Sequence, residues 1–256
     1  MVLKGCTLMK INNKLLLAIF IASNTANAAE MLYDKGTISI GYADWDQGIE
    51  DPDRGDLAKL ILSYSAILDK GEMHLIYEQN HLDKESDRRN YTVGAIGHYR
   101  ILDSNISAFG KLWSKAENTI GDKLNMFYGV GYLGLTGKDY FFKPYVGLHH
   151  LSIDYYSDKY GSANGFNGYV TGWMAGYSIN DRISLFNWTD IQLDRNDAFT
   201  ESFVAQGHDW GVSGGMSVTY KFTPHFSTTF NYVYYVNEMA FDGYGDQLIY
   251  TINYDF

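Results

Sequence analysis

The sequence predicts an all-β protein: a transmembrane antiparallel β-barrel of about 12 strands, of the bacterial outer-membrane type. Apolar and polar residues alternate with period two in segment after segment, which gives strands one oily and one wet face. The connections between these segments are alternately short and long, as in barrels with tight periplasmic turns and larger extracellular loops. The 22 Tyr, 14 Phe and 5 Trp gather near segment ends while mean hydropathy stays negative, because only alternate residues need meet lipid. No stretch after residue 30 approaches the roughly 18 apolar residues of a membrane-spanning helix.

The chain starts with a different signal. Lys10 and Lys14 precede the apolar run Leu15 to Ile21, followed by Ala26-Asn27-Ala28. A basic start, a short apolar core and a small-x-small site predict a secretory signal peptide over residues 1–28, cut after Ala28. Met1 and Met9 both remain open as the start. Removing Lys4, Lys10 and Lys14, and no acid, takes the net charge from -10 to -13. The only cysteine, Cys6, lies in this segment upstream of the apolar core, so it is no lipoprotein acylation site. A barrel domain over 29–256 then needs neither disulfides nor thiolate metal sites, which suits a periplasmic route. Its acidity leaves no basic stripe for phosphates, which argues against nucleic acid as a partner.

Strands are expected near 36–45, 58–68, 72–81, 91–101, 105–113, 123–134, 140–151, 166–178, 182–194, 210–222, 226–237 and 247–256. The even count places both ends in the periplasm. Tight turns fall at Asp69-Lys70-Gly71, Asp103-Ser104-Asn105, Gly137-Lys138-Asp139, Asn180-Asp181-Arg182 and Thr223-Pro224-His225, each with hairpin chemistry. The longer connections, about 46–57, 82–90, 114–122, 156–165, 195–209 and 238–246, fall outside the cell. In the tenth segment Trp210, Val212, Met216, Val218, Tyr220 and Phe222 oppose Ser213, Ser217, Thr219 and Lys221. In the eighth the pattern fails: Tyr169, Trp173 and Tyr177 face one way, Phe166, Val170 and Met174 the other.

The last segment sets Leu248, Tyr250, Ile252, Tyr254 and Phe256 against Thr251, Asn253 and Asp255. A final strand ending on a free aromatic resembles the closing strand of outer-membrane barrels. In those proteins the terminal aromatic is read by the barrel-insertion machinery, so Phe256 is the expected contact. Outer-membrane lipid and lipopolysaccharide are the expected surroundings of the apolar face. A secreted sandwich or lipocalin-like barrel also alternates, but explains neither the aromatic strand ends nor the terminal Phe.

A barrel of this size leaves room for a narrow lumen, and the more polar parity decides what passes. The candidate solute-binding residues on that parity are Glu78, Lys111, Trp113, Phe127, Tyr145, Phe186, Trp188, Asp190, Asn231 and Tyr235. Rings beside amides and both charge signs suit a planar, polar, uncharged solute; the alternative is that the inward rings merely pack the lumen.

Phe166-Asn167-Gly168-Tyr169, a short turn, and then Leu185 to Arg195 resemble paired strands of the Tsx-like nucleoside-specific channels and the related OmpK proteins of vibrios. Gly137-Lys138-Asp139 before an aromatic strand is a further echo, so the resemblance covers about residues 120–256; residues 30–110 offer no matching motif. The resemblance implies a narrow twelve-stranded passive channel for nucleosides, used in some members as a phage receptor. Passive uptake of small hydrophilic solutes is therefore the expected role, with a closed structural or receptor barrel as one alternative.

A second alternative is enzymatic. His150 and Ser152 share a parity, and Asn164 follows twelve residues after the serine, a spacing similar to the His-x-Ser…Asn arrangement of the outer-membrane phospholipase. Base, nucleophile and orienter would make an acyl-transfer triad at the lipid face. Ser152 is followed by Ile153, however, where the phospholipase has Ser-Asn-Gly, and Asn164 reads as a loop residue. His149 and His150 point to opposite faces and cannot chelate one metal. The acids Asp44, Asp46, Glu50, Asp51, Asp53 and Asp56 lack EF-hand spacing and read as a solvated loop. No cofactor motif is present.

Overall fold

The computed structural model describes residues 29–45, 56–85, 89–117, 121–155, 162–201, 207–239 and 241–256. Residues 1–28, where a signal peptide is expected and which contain Cys6, and the acids Asp46, Glu50, Asp51 and Asp53 lie outside these residues.

Twelve strands span the barrel. They are β1 (Met31–Trp45), β2 (Leu57–Leu68), β3 (Gly71–Asn80), β4 (Asn90–Arg100), β5 (Ile106–Glu117) and β6 (Gly121–Tyr132). The second half holds β7 (Tyr140–Tyr155), β8 (Ser162–Ser178), β9 (Ile183–Leu193), β10 (Gly211–Lys221), β11 (Phe226–Val236) and β12 (Tyr244–Asp255). A two-residue bridge, Leu135–Thr136, pairs with Phe141 and Phe142 in the β6–β7 turn. Every strand pairs antiparallel with its neighbours in sequence. Pairing of β1 with β12, from Thr37 opposite Asp255 to Trp45 opposite Gln247, closes the sheet.

The seam extends one residue past β12. The Phe256 amide donates to the Gly36 carbonyl at 3.0 Å, and the Gly36 amide donates back to the Phe256 carbonyl at 3.1 Å. The Phe256 ring lies where a side chain on residue 36 would stand, so glycine makes room for it. Among the described residues no edge strand is left unpaired, which is what a lipid solvent demands of β-structure.

Burial runs inside-out. On β12 the polar Thr251, Asn253 and Asp255 are buried, while Ile252 is 66% exposed and Tyr250 and Tyr254 are also exposed. On β1, Ile38, Ile40 and Tyr42 are exposed and Ser39 and Ala43 are buried. A water-soluble domain does not leave such a continuous belt of large apolar groups uncovered. A barrel with a wet interior and a lipid-facing exterior requires it. Among the described residues no helix is long and apolar enough to cross a membrane; the crossing is made by strands.

The eighth segment, which fits no single alternation, contains a bulge. Opposite β7 the register runs Leu148 to Tyr169 and then His150 to Phe166. The extra residue resets parity, so Phe166 and Tyr169 both point outward, their rings 5.7 Å apart, and Val170 is buried inside. Gly168 makes this possible: its φ is +83°, and a Cβ there would sit 2.2 Å from the carbonyl oxygens of both Leu193 and Asp194. A positive-φ glycine is the usual device for such a bulge.

Expected and observed strands agree within a few residues, with one systematic difference. Strands run further on the side of the long connections: β5 reaches Glu117, β6 begins at Gly121, and β7 continues to Tyr155. Charged residues such as Lys115 and Asp122 hide the alternation there, because beyond the lipid both faces are wet.

Candidate functional site: the lumen

All ten candidate residues lie on the inward parity of their strands, but they form separate groups. The largest is at mid-barrel. Lys111 of β5 pairs with Asp190 of β9, and the Tyr145 hydroxyl of β7 donates to the same carboxylate. The Lys111 ammonium lies 4.8 Å from the Trp188 ring centroid and 5.6 Å from that of Phe127. At these distances a cation is attracted by the ring faces. Phe109 stacks on Tyr145 with centroids 4.0 Å apart, and Phe109, Phe127, Tyr145 and Val170 form a buried cluster with Ile96 packed against it.

The other candidates stand apart. Trp113 covers Gly94 of the neighbouring β4. Glu78 pairs with Lys59 at 3.3 Å across β2–β3. Asn231 lies with Glu78 on the lining of a cavity of about 300 Å³. Phe186, 6.3 Å from Phe141, sits toward the short-turn end near the Lys143–Glu72 pair, where Lys143 lies over Phe141. Tyr235 sits at the opposite end in a stack of three rings, 5.8 Å from Trp45 and 5.9 Å from Phe241, nearly parallel to both.

Several residues near the outer mouth were not foreseen. Glu238, just past β11, pairs with Arg195 and, at 3.3 Å, with Lys123 of β6. Gln192 donates to it as well. Phe199, on the short helix α1 (Asp197–Thr200), is buried beneath Lys123 and Arg195. Burial pushes the Glu238 carboxyl up, but the two cations more than offset this and hold it below the ordinary carboxylate range. Parity could have flagged Phe109 and Glu72, which share strand faces with Lys111 and Glu78. Nothing in the sequence marks Glu238, because strand periodicity is silent about a loop residue that turns inward.

His149 is buried and held by Asn125 at 3.0 Å and Asn167 at 3.2 Å, a polar core contact. His150, Ser152 and Asn164 face outward, and the register sets Ser152 directly opposite Asn164. No hydrogen bond joins the three. Among the described residues no group of three or more His, Cys, Asp or Glu could hold a metal.

The geometry defines a class: a closed antiparallel outer-membrane β-barrel whose interior is polar, narrow and lined by paired charges and rings, hence a channel. Residues 74–256 match the family of the nucleoside-specific channel-forming protein Tsx. The chain belongs to that family. The match begins in β3, well before the region where the sequence alone shows a resemblance. Among solved structures the NanC porin superimposes with a TM-score of 0.53 at 11% identity, covering 86% of this chain and 98% of that one. An outer membrane channel from Pseudomonas putida F1 follows with a TM-score of 0.47 at 11% identity, covering 87% and 95%. At 11% identity the NanC likeness speaks for the fold alone. The family and fold point to a transport channel rather than an enzyme, seated in the outer membrane.

Proposed function

We propose that the channel passes nucleosides passively down their gradient. The observation that carries this is the mid-barrel group, where Trp188 and Phe127 flank Lys111 and Asp190. A planar base can stack on a ring while its edge meets a charged or amide group, and stacking on aromatics is worth about 1–3 kcal/mol per base in nucleic-acid sites. The lumen lysines are paired with carboxylates: Lys111 with Asp190, Lys143 with Glu72, Lys59 with Glu78 and Lys35 with Asp255. Paired charges present dipoles rather than a one-sign field, which favours uncharged polar solutes over ions. The family description supports the same solute.

In this reading residues 1–28 export the chain and are removed after Ala28. Phe256 is engaged by the insertion machinery, the outward rings contact lipid and lipopolysaccharide, and the long loops are available to phage. The test is a solute-block panel on single channels in planar bilayers. Nucleosides should interrupt a small conductance, sugars and amino acids should do so less, and Trp188→Ala should weaken the nucleoside block several-fold. If nucleosides leave the current unchanged, or act no more strongly than the other solutes, the assignment fails.

A further inference from the structure

The outer mouth holds a carboxylate that the chain itself supplies. Three side chains send donors to the two oxygens of Glu238: Lys123 of β6 to Oε1 at 3.3 Å, Gln192 of β9 to Oε2 at 3.3 Å, and Arg195 to Oε2 as well. Gln192 and Arg195 are each 3% exposed and Glu238 is 4% exposed, so this is no solvated surface pair. The backbone is shaped for the arrangement. Asn237, directly before Glu238, takes a left-handed φ of +51°, which asparagine tolerates, and Asp194, directly before Arg195, one of +56°. Asn237 is pinned to Gly243 through its amide at 2.8 Å and its side chain at 3.0 Å. Gly211 of β10 leaves room for the guanidinium, since a Cβ there would lie 2.1 Å from an Arg195 nitrogen. Arg195 also donates to the carbonyls of Trp210 at 3.1 Å and Asn237 at 2.7 Å, and both cations lie over the Phe199 ring. The cations therefore have anchors that do not depend on the carboxylate.

We infer that Lys123, Gln192 and Arg195 form an oxyanion receptor at the outer mouth, that Glu238 is its tethered occupant, and that this occupancy keeps free carboxylates and phosphates from lodging in the channel. A guanidinium, an ammonium and an amide converging on two oxygens are the donor set that recognises such groups. A group held on the chain acts at an effective concentration of about mM or more, so free anions below that level do not displace it. Lys123 and Glu238 come from strands five apart in the sheet of twelve, so the group reaches across the mouth and lies in the path of an entering solute. Without Glu238 its cations would face the lumen, and a passing anion would dwell there and block. The receptor holds whichever uncharged solute passes and does not rest on the nucleoside reading.

The test is chemical rescue in the full chain. Glu238→Ala vacates the carboxylate position, and acetate, titrated against chloride at constant ionic strength, should fill it saturably. At about ten times its dissociation constant acetate should lower the urea unfolding constant of Glu238→Ala about tenfold and leave that of the unaltered protein unmoved. Acetate should also interrupt single-channel current in Glu238→Ala and not in the unaltered channel, and Lys123→Gln added to Glu238→Ala should weaken both effects several-fold. If Glu238→Ala does not fold alone, acetate should restore its folding yield, read by heat-modifiable gel mobility. Inorganic phosphate should act like acetate; its failure overturns the phosphate part. Glu238→Gln keeps the shape and fills the site, so it should ignore acetate but shift the reversal potential in a KCl gradient toward anions; an unshifted potential overturns the screening role. No response of Glu238→Ala to acetate in stability, yield or current, an equal response of the unaltered protein, or a response that survives Lys123→Gln makes Glu238 a structural tie only and overturns the receptor. No arm contains a nucleoside, so a failed rescue and a failed nucleoside block are separate results.

Discussion

Asp190 is the residue whose loss should be most informative. It accepts from both Lys111 and Tyr145, is 3% exposed, and its partners come from β5 and β7, distant in sequence. Asp190→Ala leaves Lys111 with ring faces but no counter-ion. Removing one member of a buried pair typically costs about 3–5 kcal/mol, whereas replacing both by apolar groups is nearly neutral. The lumen admits water, so the lower end, about 3 kcal/mol, is expected, or roughly a hundredfold in the unfolding equilibrium. Lys111→Met alone should cost about as much, because a carboxylate is then stranded beside a buried tyrosine. The double variant should cost only about 2 kcal/mol rather than the additive sum of about 6, a coupling of about 4 kcal/mol, well above what independent sites show. Urea unfolding of detergent-folded protein, followed by tryptophan fluorescence, measures all three. Additive costs, or single losses below about 0.5 kcal/mol, would show that Lys111–Asp190 behaves as a wet, surface-like pair.

Further outcomes follow from other parts of the molecule. Gly168→Ala forces a side chain against two carbonyl oxygens at a positive φ; it should destabilise by about 2 kcal/mol or more, read in the same urea assay. Ile252→Lys puts a charge on the lipid face and should cost about 2–4 kcal/mol if near the bilayer midplane, while Thr251→Ala on the wet face should cost under about 1 kcal/mol. Reversal of that order would refute the inside-out assignment. The depressed Glu238 carboxyl contributes stability that is present above its unfolded value, near 4.3, and is lost as pH falls through its lower folded value. Its contribution to thermal stability should hence be constant above about pH 5 and decline below about pH 4, and Glu238→Gln should make the acid-side loss of stability smaller than in the unaltered protein. Ser152→Ala should leave conductance unchanged, and purified protein should release no fatty acid from phospholipid vesicles.

The sequence by itself determined the strand count, the parity of nearly every strand and the identity of its closing residue. A strand's period of two writes its inward and outward faces directly into the order of residues. Glu78, Lys111, Trp188 and Asp190 were legible as lumen residues for that reason alone. The eighth segment was not, because one extra residue at Gly168 inverts parity and only the register against Leu148 and His150 reveals it. The tertiary structure alone decided which inward residues meet. Lys111 reaches Asp190 across a gap of 79 positions, and Glu238 reaches Lys123 across 115, because closure of the sheet sets β5 and β9 across one lumen and a loop turns inward. Period tells a side chain which solvent it faces; the curvature of the closed sheet chooses its partner.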